Sequence, residues 1–117
     1  MSQYIHDEKG NQDQAASNTG WGDFCRWVDA LDAQKFEPLV HLREYGWIDK
    51  PVELARVIEA AFKSRSPVAD VRAVAETVQS FCEANADSEI VMISNGMKTG
   101  ADANAVAVVA QSLKRKG

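Results

Sequence analysis

Residues 89–94 have the sequence Glu-Ile-Val-Met-Ile-Ser, a short apolar run rich in β-branched side chains and bounded by turn-forming residues. Such a run is typical of a buried strand. A single strand leaves backbone amides and carbonyls without hydrogen-bond partners. Three arrangements are open: pairing with the segment around Tyr4 and Ile5, pairing with the same strand of a second chain, or an extended segment outside any sheet. We favour the first arrangement.

Apolar side chains at helical spacing surround this strand and predict five helices. Proline lies near the start of the second, third and fourth helices, where it is tolerated, and Gly46 ends the second. The predicted fold class is therefore mainly α, a compact five-helix domain with one short strand, about 89–94, between helices 4 and 5. The helices are expected near residues 22–31, 38–45, 51–63, 67–84 and 102–113.

The predicted core combines the apolar faces of these helices with the strand. It consists of Trp27, Leu31, Leu42, Leu54, Ile58, Phe62, Val71, Val74, Val78, Phe81, Ile90, Val91, Ile93, Val106 and Val109.

Residues 1–20 differ from the rest of the chain because polar side chains dominate them. Such a segment buries too little apolar surface to offset the entropy lost on ordering. We expect a flexible N-terminal segment over residues 1–20, with Tyr4 and Ile5 as the exception, followed by a single helical domain over residues 21–117.

Composition limits the classes of partner. The chain has 117 residues, 45% of them hydrophobic, and a formal net charge of −4, which argues against nucleic acid as the main partner. No apolar run reaches the roughly 18 residues of a membrane span, and the N-terminus lacks the apolar stretch of a signal peptide. A cytoplasmic location without membrane contact follows as the expectation. Cys25 and Cys82 are expected as buried free thiols.

The motifs that would identify an enzyme or a metalloprotein are missing from the sequence. His41 and Glu44 lie one helical turn apart, and His6 adjoins acidic residues, but neither group has the ligand number and spacing that zinc requires. Cys25 with His41 is the one pair worth testing for nucleophilic catalysis, and a thiol on an apolar face is inert. We therefore expect no metal, no cofactor and no catalytic residue.

Three tryptophans, Trp21, Trp27 and Trp47, lie close together in the sequence. The simpler interpretation places them in the core, since buried aromatic rings dominate core energetics. The functional interpretation is a partly exposed aromatic groove with charged edges, which suits a protein–protein contact. The candidate protein-binding residues are Trp21, Asp23, Arg43, Tyr45 and Trp47.

The loop over residues 94–102 supports a second hypothesis. It lies between the predicted strand and a helix, where backbone amides can bind an anion, although it lacks the P-loop pattern. A small-ligand or anion-binding regulator, or a small enzyme, would use Asn95, Gly96, Lys98, Thr99 and Gly100.

The leading hypothesis is a non-catalytic interaction module whose partner is another protein. A homodimer formed through residues 89–94 is a third hypothesis. No motif in the sequence assigns a biological process.

Overall fold

A four-stranded antiparallel sheet and four helices form the part of the protein that the structure describes, residues 2–95 of a computed structural model. The strands and helices follow the order β1 (Ser2–Asp7), β2 (Gln12–Ser17), α1 (Asn18–Asp29), α2 (Glu37–Tyr45), β3 (Trp47–Ile48), α3 (Pro51–Ser64), α4 (Ala69–Ala84) and β4 (Val91–Asn95).

The prediction of a mainly α, five-helix domain is wrong, because the described residues form an α+β fold. The strand order is β2-β1-β4-β3, so the N-terminal strand β1 lies inside the sheet. Both β1 and β2 belong to the polar segment that is predicted to be flexible. The fifth predicted helix, near residues 102–113, lies outside the described residues.

The favoured pairing of the predicted strand with the N-terminal segment is confirmed. Strand β4 pairs antiparallel with β1, and Tyr4 is opposite Ser94 while Ile5 is opposite Ile93. On its other side β4 pairs with β3. The chain therefore supplies partners on both sides of β4, which removes the unpaired strand from which the homodimer hypothesis was argued.

A buried carboxylate organises the turn between β1 and β2. Asp7 is fully buried, and its Oδ1 accepts hydrogen bonds from the backbone amides of Lys9 (3.0 Å) and Asn11 (2.9 Å). Its Oδ2 accepts from the Asn11 side-chain amide (3.0 Å) and from the Ser88 hydroxyl (2.6 Å). Gly10 has a φ of 90°, which its lack of a Cβ permits. The carboxylate thus closes the hairpin and joins it to the segment before β4.

Local sequence explains where the helices begin and end. The Ser17 hydroxyl accepts a hydrogen bond from the Gly20 amide (3.0 Å), so α1 begins earlier than residue 22. Helix α2 ends at Gly46, whose φ of 78° is left-handed, as the sequence predicts. Helix α3 begins at Pro51, also as predicted.

The sheet packs one face against the helices, and His6, which lies on the other face opposite Met92, is also buried. The contribution of the sheet to the hydrophobic core comes from Ile5, Ala15, Ile48 and Val91. Every predicted core residue within residues 2–95 is buried except Ile93, which is partly buried against that core. Val106 and Val109 lie outside the described residues. None of the helices within residues 2–95 is long and apolar enough to cross a membrane.

Candidate functional site

The five candidate protein-binding residues lie in two separate groups. Trp21 and Asp23 are on α1, whereas Arg43 and Tyr45 are on α2 and Trp47 is in β3. Among the described residues, neither a hydrogen bond nor a ring contact joins the first group to the second. The single aromatic groove that the sequence predicts is therefore divided between two regions.

Of the two α1 tryptophans, Trp27 belongs to the core and Trp21 is partly buried against it. The half-buried Trp21 ring contacts Phe24 with ring centroids 4.9 Å apart, and Phe24 contacts the buried Trp27 at 6.0 Å. Trp27 in turn contacts Phe62 at 6.0 Å, and its indole N–H donates to the Arg65 carbonyl at 2.9 Å. This row of rings joins α1 to α3, which matches the simpler interpretation of the tryptophans.

The charged candidates Asp23 and Arg43 both form ion pairs. Asp23 accepts a hydrogen bond from Arg26, one turn along the exposed side of α1. Arg43 donates from Nε to Asp29 Oδ1 at 2.9 Å and from Nη2 to Oδ2 at 3.2 Å. The hydrogen bond to Asp29 is the main cause that raises the pKa of Arg43. This two-point contact holds α2 against α1, so Arg43 has a structural role.

A third ring, that of His41, contacts both Tyr45 and Trp47. His41 is not among the predicted binding residues. The His41 imidazole lies 4.7 Å from the Tyr45 ring and 4.6 Å from the Trp47 ring, centroid to centroid, with an edge-on approach to Trp47. Tyr45 is 60% exposed, whereas His41 and Trp47 are half-buried. We call these three residues the aromatic surface. The i, i+4 spacing of His41 and Tyr45 on a helix is the signal that could have identified the histidine.

The Gly46 turn and the edge of the sheet build this surface. The Gly46 amide donates to the Leu42 carbonyl at 2.8 Å, and the Gly46 carbonyl accepts from the Ile93 amide at 2.8 Å. The turn directs Trp47 into β3, where it is opposite Met92. Opposed residues of an antiparallel pair lie on the same face. The half-buried Met92 therefore lies on the same face of the sheet as Trp47.

Unsatisfied polar and charged groups accompany the rings. The His41 Nε2 atom is buried and has no hydrogen-bond partner within residues 2–95. Glu44 precedes Tyr45, and Asp49 follows the short strand β3; both are exposed or partly exposed. Neither carboxylate forms an ion pair in the described part of the chain. Among the charged side chains of residues 43–50, Arg43 and Lys50 form ion pairs with Asp29 and Glu53, whereas the two carboxylates have none within residues 2–95.

The second set of candidates lies almost entirely beyond the described residues. Asn95 ends β4, and its side-chain oxygen accepts a hydrogen bond from the Gln3 amide. The same Gln3 amide donates to Asn18 at 2.9 Å, so Asn95 is tied to the sheet and to the start of α1. Gly96, Lys98, Thr99 and Gly100 fall outside residues 2–95, and the ligand-binding loop stays a prediction.

Both cysteines are free and buried. Burial raises the pKa of the Cys25 thiol, and it raises the pKa of Cys82 to about 12. A thiol of high pKa is almost fully protonated near neutral pH and is a poor nucleophile. Within residues 2–95, no cluster of histidine, cysteine and acidic residues has the composition to hold a metal ion.

Comparison of the chain with protein families, with curated proteins and with solved structures found no match.

Proposed function

We propose that this protein is a non-catalytic interaction module of the cytoplasm, and that its aromatic surface binds a segment of another protein. The observation that carries the proposal is the Tyr45 ring, 60% exposed and held against His41. An aromatic ring that is fixed before binding loses little conformational entropy when a partner covers it. Tyrosine and tryptophan are also the residues enriched at binding hot spots.

The chemistry of the surface indicates which partner segment would fit. Glu44 precedes Tyr45 in the chain, Asp49 comes two residues after Trp47, and neither carboxylate forms an ion pair among the described residues. An arginine or lysine of the partner could pair with these carboxylates and stack on an aromatic face. Met92, opposite Trp47, offers an adaptable apolar contact. We therefore assign the surface to a partner segment with a basic side chain next to an apolar one.

The net charge of −4 agrees with this assignment, since an acidic protein attracts basic partners and repels nucleic acid. The free cysteines agree with a reducing compartment such as the cytoplasm.

A peptide selection tests the proposal even though the partner is unidentified. A random peptide library displayed on phage is selected on the purified full chain, and the recovered peptides are measured by fluorescence polarisation. We expect peptides enriched in arginine or lysine beside aliphatic or aromatic residues. Tyr45→Ala should weaken them about tenfold or more, as truncation of a hot-spot ring does.

Two further variants separate the contributions. The double variant Glu44→Gln/Asp49→Asn should weaken the basic peptides and reduce the salt dependence of binding. Val68→Ala is the matched control. Val68 is also an exposed apolar side chain, 71% exposed, and it lies at the start of a different helix, α4. Recovery of no peptides, of acidic peptides, or of peptides that bind Tyr45→Ala as tightly as wild type would overturn the proposal. An equal loss in Val68→Ala would also overturn it.

A further inference from the structure

A second concave region lies where α1 meets the connection between α3 and α4. It is an open groove of about 510 Å³, lined among others by Arg26, Trp27, Arg65, Ser66, Pro67 and Val68. The connection is held in place by Trp27, whose indole N–H donates to the Arg65 carbonyl at 2.9 Å. We call this region the arginine groove.

The described lining of the groove contains two arginines, Arg26 and Arg65, and no acidic residue, although the chain as a whole is acidic. The exposed Arg65 side chain forms no hydrogen bond and no ion pair within residues 2–95. Arg26 forms an ion pair with Asp23. A third guanidinium, Arg72, lies 4.4 Å from the Phe62 ring centroid and has no acidic partner in the described part of the chain.

Neutral donors accompany these cations. The Ser66 oxygen accepts a hydrogen bond from Arg72 Nη2 at 3.3 Å, which leaves the Ser66 hydroxyl proton available to a ligand in the groove. Helix α4 begins next to it, with Val68 as its N-cap and no side-chain hydrogen bond to its first amides. Asp70, in the first turn of α4, would repel an anion in the groove. Asp70 and Asp23 are the nearby acids whose negative charge the arginines must outweigh.

The groove also has an apolar wall. Val68 is 71% exposed, and Pro67 and the Trp27 indole line the groove beside it. An exposed apolar side chain next to an arginine without an ion pair among the described residues favours a ligand with two unlike ends, an anion and a hydrophobic body.

We infer that the arginine groove binds an oxyanion attached to an apolar body, of the class of an aryl phosphate or an aromatic carboxylate. Arg65 would pair with the oxyanion, the Ser66 hydroxyl would donate to it, and Pro67 and Val68 would cover the apolar body. A planar guanidinium with two parallel N–H donors is suited to phosphate and carboxylate oxygens. This site is independent of the aromatic surface.

An NMR titration tests the inference with defined probes. The ¹⁵N-labelled full chain is titrated with phenyl phosphate, benzoate and inorganic phosphate at constant ionic strength. We expect saturable shifts of the amides of Arg65, Ser66 and residues 68–71 with phenyl phosphate, and weaker binding of inorganic phosphate, which lacks the ring. Tighter binding of phenyl phosphate than of benzoate would assign the site to phosphate esters, and the reverse would assign it to carboxylates.

Arg65→Gln should weaken the tightest probe about tenfold, the effect of losing a charge-assisted hydrogen bond. Arg56→Gln is the matched control, because Arg56 is also an exposed arginine, on α3, and does not line this groove. Far-UV circular dichroism verifies that both variants fold. Equal affinity in Arg65→Gln and wild type would overturn the inference, and so would an equal loss in Arg56→Gln. Absence of a saturable shift at residues 65–71 would overturn it as well.

Discussion

Replacement of Asp7 by alanine removes the carboxylate that closes the β1–β2 turn. Four donors lose their acceptor: two backbone amides, the Asn11 side chain and the Ser88 hydroxyl. A hydrogen bond to a charged group contributes about 1.5–3 kcal/mol. Lys9 and Asn11 are exposed and can regain water, whereas Ser88 is buried and cannot. Counting the Ser88 bond and about one amide bond, we expect a loss of about 3–6 kcal/mol in the free energy of unfolding.

Urea denaturation at constant pH measures this loss. With a slope of about 2 kcal/mol per molar urea, typical of a small domain, the midpoint should fall by roughly 1.5–3 M. Asp13→Asn is the control, because Asp13 is an exposed acid on the same hairpin and its replacement should change stability by less than about 0.5 kcal/mol. A double-mutant cycle of Asp7→Asn with Ser88→Ala isolates the buried contact at 2.6 Å. Equal midpoints for Asp7→Ala and Asp13→Asn, or additive effects in the cycle, would refute the reasoning.

Two further predictions concern Cys82 and Gly46. Burial raises the pKa of the Cys82 thiol to about 12, so at pH 8 this thiol should react with iodoacetamide about a thousandfold more slowly in the folded chain than in the urea-unfolded chain. Mass spectrometry measures both reaction rates. Comparable rates would contradict the burial of Cys82. Gly46→Ala should lower the free energy of unfolding in urea by about 1–2 kcal/mol, because Gly46 has a left-handed φ of 78°. Gly22→Ala, within helix α1, should raise it by about 0.5–1 kcal/mol. A change of the same sign in both variants would contradict this explanation.

Local sequence predicts the helices well because their signals are contained within a few residues. Gly46 ends α2 through its own backbone conformation, and Pro51 begins α3 through its fixed φ. The apolar stripe of α4 likewise depends only on spacing along one helix. None of these features depends on a residue far away in the chain.

The strands are harder to predict because their partners are distant in sequence. Strand β2 has exposed polar side chains over residues 12–14 and lies at the edge of the sheet, so its sequence resembles that of a mobile segment. In the sequence Asp7 resembles an ordinary surface acid, and only the fold brings the distant Ser88 next to it. Strand β3 has only two residues, too few for a periodic pattern that would distinguish it from a loop.

Only the part of the candidate site whose residues are close together in the sequence is predictable. Tyr45 and Trp47 lie together as expected, because only the Gly46 turn separates them. Trp21 and Asp23 lie on another helix. No local signal in the sequence shows whether two tryptophans that are close in the sequence are also close in the structure. Arg65 and Arg26 line the same groove, a placement that sequence spacing does not reveal.

The two proposed surfaces depend on different parts of the fold, which makes them separable by experiment. The aromatic surface requires the pairing of β3 with β4, and β4 is held in turn by β1 and its Asp7-closed hairpin. The arginine groove requires the contact of Trp27 with the Arg65 carbonyl, a contact between α1 and the end of α3. A perturbation of the hairpin should therefore affect peptide binding at Tyr45 before it affects anion binding at Arg65.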